Sequence, residues 1–165
     1  MVGDPPAAAT FCLRVPLRAH YAVAIADASG TGVPESERLA RRYFALFKQG
    51  ETAKMLDLIH PDVEMVLKTM RPGDVLRGRD KIVAFADEIA GRFYEAHPEV
   101  YRPLDETHIV IEGRIRWMDD DRVLRDDPMI WALEFRDGLL IRSTPAGSVL
   151  EAEAILGTAA RDERA

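Results

Sequence analysis

Four side chains in this sequence could carry acid–base or anion-binding chemistry, and three of them lie close together in the chain. His108 could act as a general base, because an imidazole titrates near neutral pH. If Arg114 faces a cavity, it could clamp an anion or a carbonyl oxygen and pair with a carboxylate such as Glu112 or Glu134. The fourth is Tyr43, a helix residue whose ring would pack while its hydroxyl reaches a partner.

The direction of the clustered side chains follows from the pattern of residues 107–118, which alternate as a strand. One face is apolar and carries Ile109, Ile111, Ile115 and Trp117. This alternation sends His108, Glu112 and Arg114 to the opposite face, toward solvent or an interface.

The composition indicates a folded protein with a single domain of ordinary size. The 165 residues carry a net charge of −6, which argues against a nucleic-acid or anionic-membrane partner. No apolar run approaches the roughly 20 residues of a membrane span. Cys12 is the only cysteine, which excludes an internal disulfide and fits a cytoplasmic location.

We predict neither a metal nor a cofactor. No histidine has a second ligand at a metal-like spacing. The acidic turns at residues 119–121 and 126–127 lack the glycine and glutamate pattern of a calcium loop. No glycine-rich nucleotide-binding loop and no nucleophile elbow is present.

The element that organises the rest of the chain is a predicted hairpin at residues 128–144. Asp137-Gly138 separates two apolar, β-prone runs, and such a pair strongly favours a tight hairpin turn. Trp131 and Leu133 fall on one face, and Ile130 and Ala132 on the other. Because both faces are apolar, both must be covered, and what covers them decides the fold.

Three predicted helices and three predicted strands precede this hairpin, and one predicted helix follows it. The predicted helices are residues 35–50, 52–60, 80–97 and 148–156, and the predicted strands are 62–69, 99–104 and 107–118. Residues 1–34 have no sustained period and are predicted to be a poorly ordered leader, and residues 158–165 a charged tail. Helices followed by a run of antiparallel strands indicate an α+β fold, with helices on one face of a curved sheet.

Four segments in this order also carry a resemblance. They are RRYFALFKQGETAKMLDLIHPDVEM, LRGRDKIVAFADEIAGRF, IVIEGRIRWM and WALEFRDGLLIRSTPAGSVLEAEAILG, all within residues 35–157. Together they resemble a SnoaL-like protein of the nuclear transport factor 2-like superfamily. The resemblance implies a cone-shaped fold, with three helices packed on a strongly curved antiparallel sheet around an apolar pocket. It also implies a homodimer through the outer face of the sheet. The superfamily hosts both enzymes and non-catalytic binders, so the fold does not define the activity.

The ketosteroid isomerases of this superfamily need a carboxylate base and an oxyanion hole made of a tyrosine and a protonated acid. Tyr43 matches the tyrosine, but the base position falls on Leu67 and the acid position on Trp131. Since proton transfer needs a group that can take the proton, isomerase chemistry of this kind is not expected.

The limonene epoxide hydrolases of the superfamily need two aspartates and an arginine. Arg114 matches the arginine, while Arg116 and Ser143 stand at the aspartate positions. No water-activating pair remains. This resemblance places Arg114 toward the pocket, whereas strand alternation places it outside, and the sequence leaves both directions open.

We therefore predict a small-molecule-binding domain whose apolar pocket takes an apolar or aromatic ligand. The predicted lining is Tyr43, Phe47, Met65, Leu67, Phe85, Ile89, Trp117, Trp131, Leu133 and Ser143.

Two alternatives remain. One is an enzyme of the polyketide cyclase, dehydratase or hydrolase type that uses Tyr43, His108, Glu112 or Arg114. The other is a dimeric structural or interaction module, since the face opposite the pocket is also apolar. The residues predicted on that outer face are Val66, Ile130, Ala132 and Leu140.

Overall fold

The computed structural model describes residues 32–69 and 71–162, so most of the predicted leader lies outside the described residues. The helices are α1 (Glu35–Lys48), α2 (Thr52–Leu56), α3 (Arg79–Ile89) and α4 (Val149–Asp162). The strands are β1 (Ile59–Val66), β2 (Val75–Arg77), β3 (Tyr94–Pro103), β4 (His108–Met118), β5 (Leu124–Arg136) and β6 (Leu139–Ala146). None of the helices in these ranges is long and apolar enough to cross a membrane.

The six strands form one sheet in the order β2-β1-β6-β5-β4-β3. All neighbours are antiparallel except β1 and β6, which run parallel. The predicted α+β fold is confirmed. The sheet was predicted to be antiparallel, and each pair of neighbouring strands is antiparallel except β1 and β6. A tight hairpin forces its two strands to be antiparallel, whereas β1 and β6 are far apart in the chain and free of that constraint.

The predicted hairpin is the β5–β6 pair, and its turn is confirmed. Asp137 has φ 52° and Gly138 has φ 76°, so both adopt the left-handed backbone that a two-residue hairpin turn requires. The register shifts beside this turn, where Glu134 pairs with Arg142 but Phe135 pairs with Leu140. This bulge interrupts the alternation of β6. Leu140 therefore belongs to the inner core, and its predicted place on the outer face was wrong.

Helices α1, α2 and α3 cover the inner face of the sheet. Ala40 and Phe44 lie one turn apart on α1 and pack on β4 and β5. The Phe44 and Trp131 rings meet edge-on, with centroids 5.2 Å apart. On the other side of this layer, Ile82 of α3 belongs to a second cluster with Val63 of β1.

Helix α4 covers part of the outer face, where the sequence predicted an unpartnered apolar surface. Ala152 and Leu156 pack on Val110, Ala132 and Ala146, and Ala132 is fully buried. The alanines allow the helix to approach the strands closely. α4 runs to Asp162, past the predicted helix end and into the predicted tail.

The predicted third helix extends too far, because α3 ends at Ile89 rather than at His97. Gly91 has φ 83° just after the helix, and the edge strand β3 follows. An edge strand tolerates proline because one side of its backbone needs no ladder partner, so Pro98 fits inside β3. This change moves Tyr94 from a predicted helix onto the sheet.

Strand β3 is bulged where it passes Gly113 of β4. The register shifts between Pro98 and Val100, and Pro98 stands opposite Gly113. A Cβ atom at Gly113 would clash with the His97 carbonyl oxygen and lie 2.9 Å from the Cα of Pro98. Only glycine permits this approach, and bulges of this kind bend a sheet.

Candidate functional site

A cavity of about 90 Å³, partly open to solvent, lies between the inner face of the sheet and helices α1–α3. Its wall is mostly apolar. Every position that the sequence predicted for the pocket lines it, except Trp117. The lining positions predicted from sequence are Tyr43, Phe47, Met65, Leu67, Phe85, Ile89, Trp131, Leu133 and Ser143.

Trp117 faces inward but does not reach the cavity. Its indole Nε1 donates to the Asp127 carboxylate at 3.2 Å, which ties the ring to the neighbouring strand near the end of β4. The ring packs beside the inner core instead. Alternation gave its face correctly, but it cannot give the distance of a residue from the cavity along the strand.

Three polar groups on the cavity wall have no hydrogen-bond partner among the described residues. They are the Tyr43 hydroxyl on α1, the Trp131 indole N–H on β5 and the Ser143 hydroxyl on β6. No fully buried side-chain nitrogen or oxygen in the described part of the chain lacks a partner. These three groups must therefore reach space that water or a ligand can occupy. The cavity is the space that all three residues line.

A second phenol, Tyr94, lies beside Tyr43 and was missed in the sequence because its segment was assigned to a helix. Its hydroxyl is 3.0 Å from the Thr69 hydroxyl, and either group can donate. Burial raises the pKa of Tyr43 well above its usual value, and the nearby Tyr94 adds to this. Burial also raises the pKa of Tyr94, against a smaller lowering by the Thr69 hydrogen bond. Both phenols therefore stay protonated at neutral pH and can donate hydrogen bonds.

The charged groups of the cavity wall are few. Lys68 is the one exposed residue among the described lining residues, and we therefore assign it to the open edge of the cavity. Its Nζ donates to the backbone oxygen of Pro128 at 2.6 Å. No aspartate, glutamate or histidine is found among the described residues that line the cavity. The described part of the wall therefore offers neutral hydrogen-bond donors and one cation.

His108 lies outside the cavity and is bound to a carboxylate of the preceding loop. Its Nδ1 is 3.0 Å from each carboxylate oxygen of Asp105. Partial burial would raise the pKa of Asp105, but hydrogen bonds from Thr107 and His108 together hold it below its usual value. His108 thus fixes the β3–β4 loop, and the predicted role as a base in the pocket does not fit its position.

Glu112 and Arg114 also point away from the cavity, as strand alternation indicated. Arg114 Nε donates to Asp126 at 2.8 Å, so its carboxylate partner is neither Glu112 nor Glu134, the partners expected if it faced the pocket. Glu112 accepts from Arg102 at 2.7 Å. The direction implied by the family resemblance was wrong for Arg114, because Ile111 and Ile115 of the same strand occupy the inner face.

Metal-binding geometry is not seen in the ranges that the structure describes: no three side chains of histidine, cysteine, aspartate or glutamate are grouped to hold an ion. The acidic residues of the β4–β5 region form ion pairs with arginines instead. Asp119 bonds Arg125 at 2.7 Å, and Asp120 bonds Arg92 at 3.1 Å.

Comparison with known proteins agrees with this fold. The chain belongs to the SnoaL-like domain family, whose model matches residues 40–143. A search of curated proteins finds no match.

Solved structures with this fold confirm the nuclear transport factor 2-like architecture. A putative polyketide cyclase from Xanthomonas campestris pv. campestris is 21% identical with a TM-score of 0.59, covering 73% of this chain and 95% of its own. An NTF2-like protein of unknown function from Burkholderia pseudomallei is 18% identical with a TM-score of 0.60, covering 75% and 97%. A Mycobacterium tuberculosis protein in complex with estradiol-17β-hemisuccinate is 14% identical with a TM-score of 0.61, covering 72% and 98%. At such identities the likeness carries the fold and not the activity.

Proposed function

We propose that the cavity binds a small, mainly apolar ring compound and holds an oxygen atom of that compound by hydrogen bonds. The observation that carries the proposal is the set of unpartnered donors on an otherwise apolar wall, Tyr43, Trp131 and Ser143. A few polar groups on an apolar wall are typical of small-molecule sites, where they fix the orientation of the ligand. The estradiol-17β-hemisuccinate complex of one structural relative supports a ring compound.

We favour binding over catalysis for this cavity. The described lining residues include no carboxylate or imidazole, and phenols with a raised pKa donate protons to hydrogen bonds rather than accept them. The alternative is an enzyme of the cyclase, dehydratase or hydrolase type. Three of its candidate residues, His108, Glu112 and Arg114, lie outside the cavity, where each pairs with an oppositely charged side chain. Of the four candidates named from sequence, Tyr43 alone lines the cavity.

The size of the cavity restricts the ligand. A dry cavity of about 150 Å³ accommodates benzene, so about 90 Å³ is tight for one ring. Met55, Met65 and Met129 line the wall, and methionine side chains rearrange at low cost. We therefore expect a single ring to enter by displacing methionine side chains, and larger ring systems to bind only if the wall opens further.

The direct test is a titration with two probes that differ in one oxygen. Acetophenone has a carbonyl acceptor and ethylbenzene does not. We expect both to bind the wild-type protein, as followed by protein-observed NMR. Tyr43→Phe should weaken acetophenone binding by about fivefold, the value of one neutral hydrogen bond, and leave ethylbenzene unchanged.

Native mass spectrometry of freshly purified protein complements this titration, since a co-purifying compound would identify the ligand class. The proposal fails if neither probe shifts resonances of cavity residues. If both probes bind but Tyr43→Phe affects them equally, the cavity binds rings and Tyr43 has no role in recognising the oxygen.

A homodimer and a cytoplasmic location stay predictions. The dimer rests on the family resemblance, and its surface must lie beside α4, because α4 covers the outer side of Val110 and Ala132. The remaining outer surface of β3–β5 carries ion pairs such as Arg114–Asp126. We expect sedimentation velocity to show a dimer at micromolar concentration, and a monomer there would contradict this prediction. The cytoplasmic location rests on the single cysteine.

A further inference from the structure

We infer that the compound bound by this cavity is an anion, with its ring inside and a carboxylate or similar group on Lys68 at the open edge. The inference rests on the proposed function, because it assigns a charge to the ligand of that same cavity. It comes from the surroundings of Lys68, which differ from those of the other cation nearby.

Lys68 carries a charge that no carboxylate in the described ranges neutralises. It has no ion pair there, whereas the neighbouring Arg71 pairs with Asp74 at 3.5 Å and with Glu88 at 3.0 Å. It is also the one charged side chain among the described residues of the cavity wall, and Leu67 and Thr69 on either side of it are buried. An anion at the open edge would therefore meet an available positive charge.

The side chain of Lys68 is already held in place for this task. Its Nζ donates to the Pro128 backbone oxygen at 2.6 Å, which joins the end of β1 to β5. An ammonium group has three donors, so two remain for a ligand while this anchor persists. Because the flexible side chain is fixed before binding, less conformational entropy is lost when the ligand binds.

The position of the cation at the edge also explains how an anion could be tolerated by an apolar cavity. A carboxylate buried among apolar side chains without a partner carries a large desolvation cost. Lys68 is exposed, so a carboxylate beside it keeps contact with water while the ring is buried.

The experiment uses 4-phenylbutanoate and 4-phenylbutanamide, which share a ring and a flexible arm and differ in charge. Isothermal titration calorimetry at pH 7 should show about fivefold tighter binding of the carboxylate to the wild-type protein. Lys68→Met should remove this preference and retain amide binding. Lys68→Arg should keep the preference, because it keeps the charge. The matched control is Lys81→Met, an exposed lysine on α3 that does not line the cavity.

Three results would overturn the inference. The first is equal binding of the two probes to the wild-type protein, which leaves ring binding intact and rejects the anion. The second is a carboxylate preference that survives in Lys68→Met or is lost in Lys81→Met. The third is binding of neither probe, which rejects this ligand class, while the acetophenone and ethylbenzene titration decides separately whether the cavity binds rings. Thermal unfolding of each variant checks that the fold is retained.

Discussion

Replacing Ala86 by phenylalanine is expected to abolish binding of acetophenone and ethylbenzene, with a loss of affinity of at least tenfold. Ala86 lies on α3 and lines the cavity together with Ile82 and Phe85 of the same helix. A phenyl ring needs most of a benzene-sized cavity, and the space here is about 90 Å³. The new side chain would therefore occupy the ligand's place. NMR titration of the variant with both probes measures the effect.

A matched variant on the same helix separates filling of the cavity from any general effect of a new aromatic residue. Ala84 is exposed on α3 and does not line the cavity, so Ala84→Phe should bind both probes as the wild type does. Overpacking at Ala86 costs roughly 1–3 kcal/mol of stability, which thermal unfolding will show. Ala96→Leu fills the cavity from β3 and provides a second blocked variant. Full binding by a folded Ala86→Phe protein would show that the ligand lies elsewhere.

Replacing Gly113 by alanine is expected to lower the free energy of unfolding by about 3 kcal/mol, at the upper end of the usual range for overpacking. The added methyl group would collide with the backbone of β3 at His97 and Pro98. Backbone atoms in a paired strand cannot move aside as the end of a flexible side chain can. β3 would have to shift, and this strand carries Tyr94 and Ala96 on the cavity wall. Urea unfolding at constant m-value measures the loss.

The control for this variant is a glycine in open surroundings. Gly157 lies in α4, and a Cβ atom there would meet nothing within 4 Å. Gly157→Ala should raise stability by up to about 1 kcal/mol, the difference in helix propensity between the two residues. If Gly113→Ala unfolds at the wild-type urea concentration, the close approach of β3 and β4 is not needed for the fold.

The sequence predicts the central hairpin well because its signals are local. Asp137-Gly138 must adopt left-handed backbone to close a two-residue turn, and the alternation of Trp131 and Leu133 assigns their face. The same alternation correctly placed Arg114 outside. Two predictions were wrong because they depended on more than neighbouring residues. The bulge in β6 turned Leu140 inward, and the first part of β3 was assigned to a helix. Both depend on pairing with a strand that is distant or out of register.

The candidate site divides in the same way. Single positions on a helix or strand face, such as Phe47 and Met65, could be assigned to the cavity wall from periodicity. Interactions between different helices and strands could not be predicted from periodicity. The Thr69–Tyr94 hydrogen bond joins residues 25 positions apart, and Lys68 reaches the backbone of Pro128 across 60 positions. No pattern within one element predicts such pairs.

By itself, the sequence determined where the hairpin turns and which residues of β4 and β5 face inward, and it predicted that the cavity wall would be apolar. Side-chain period and turn chemistry are properties of a few consecutive residues, so they are readable without the fold. Only the tertiary structure decided which inward residues reach the cavity, which hydroxyls remain unpartnered, and that α4 covers part of the outer face. These features depend on distances between elements far apart in the chain. His108, Glu112 and Arg114 lie outside the cavity, and the polar residues that line it include Tyr43, Trp131, Ser143 and Lys68.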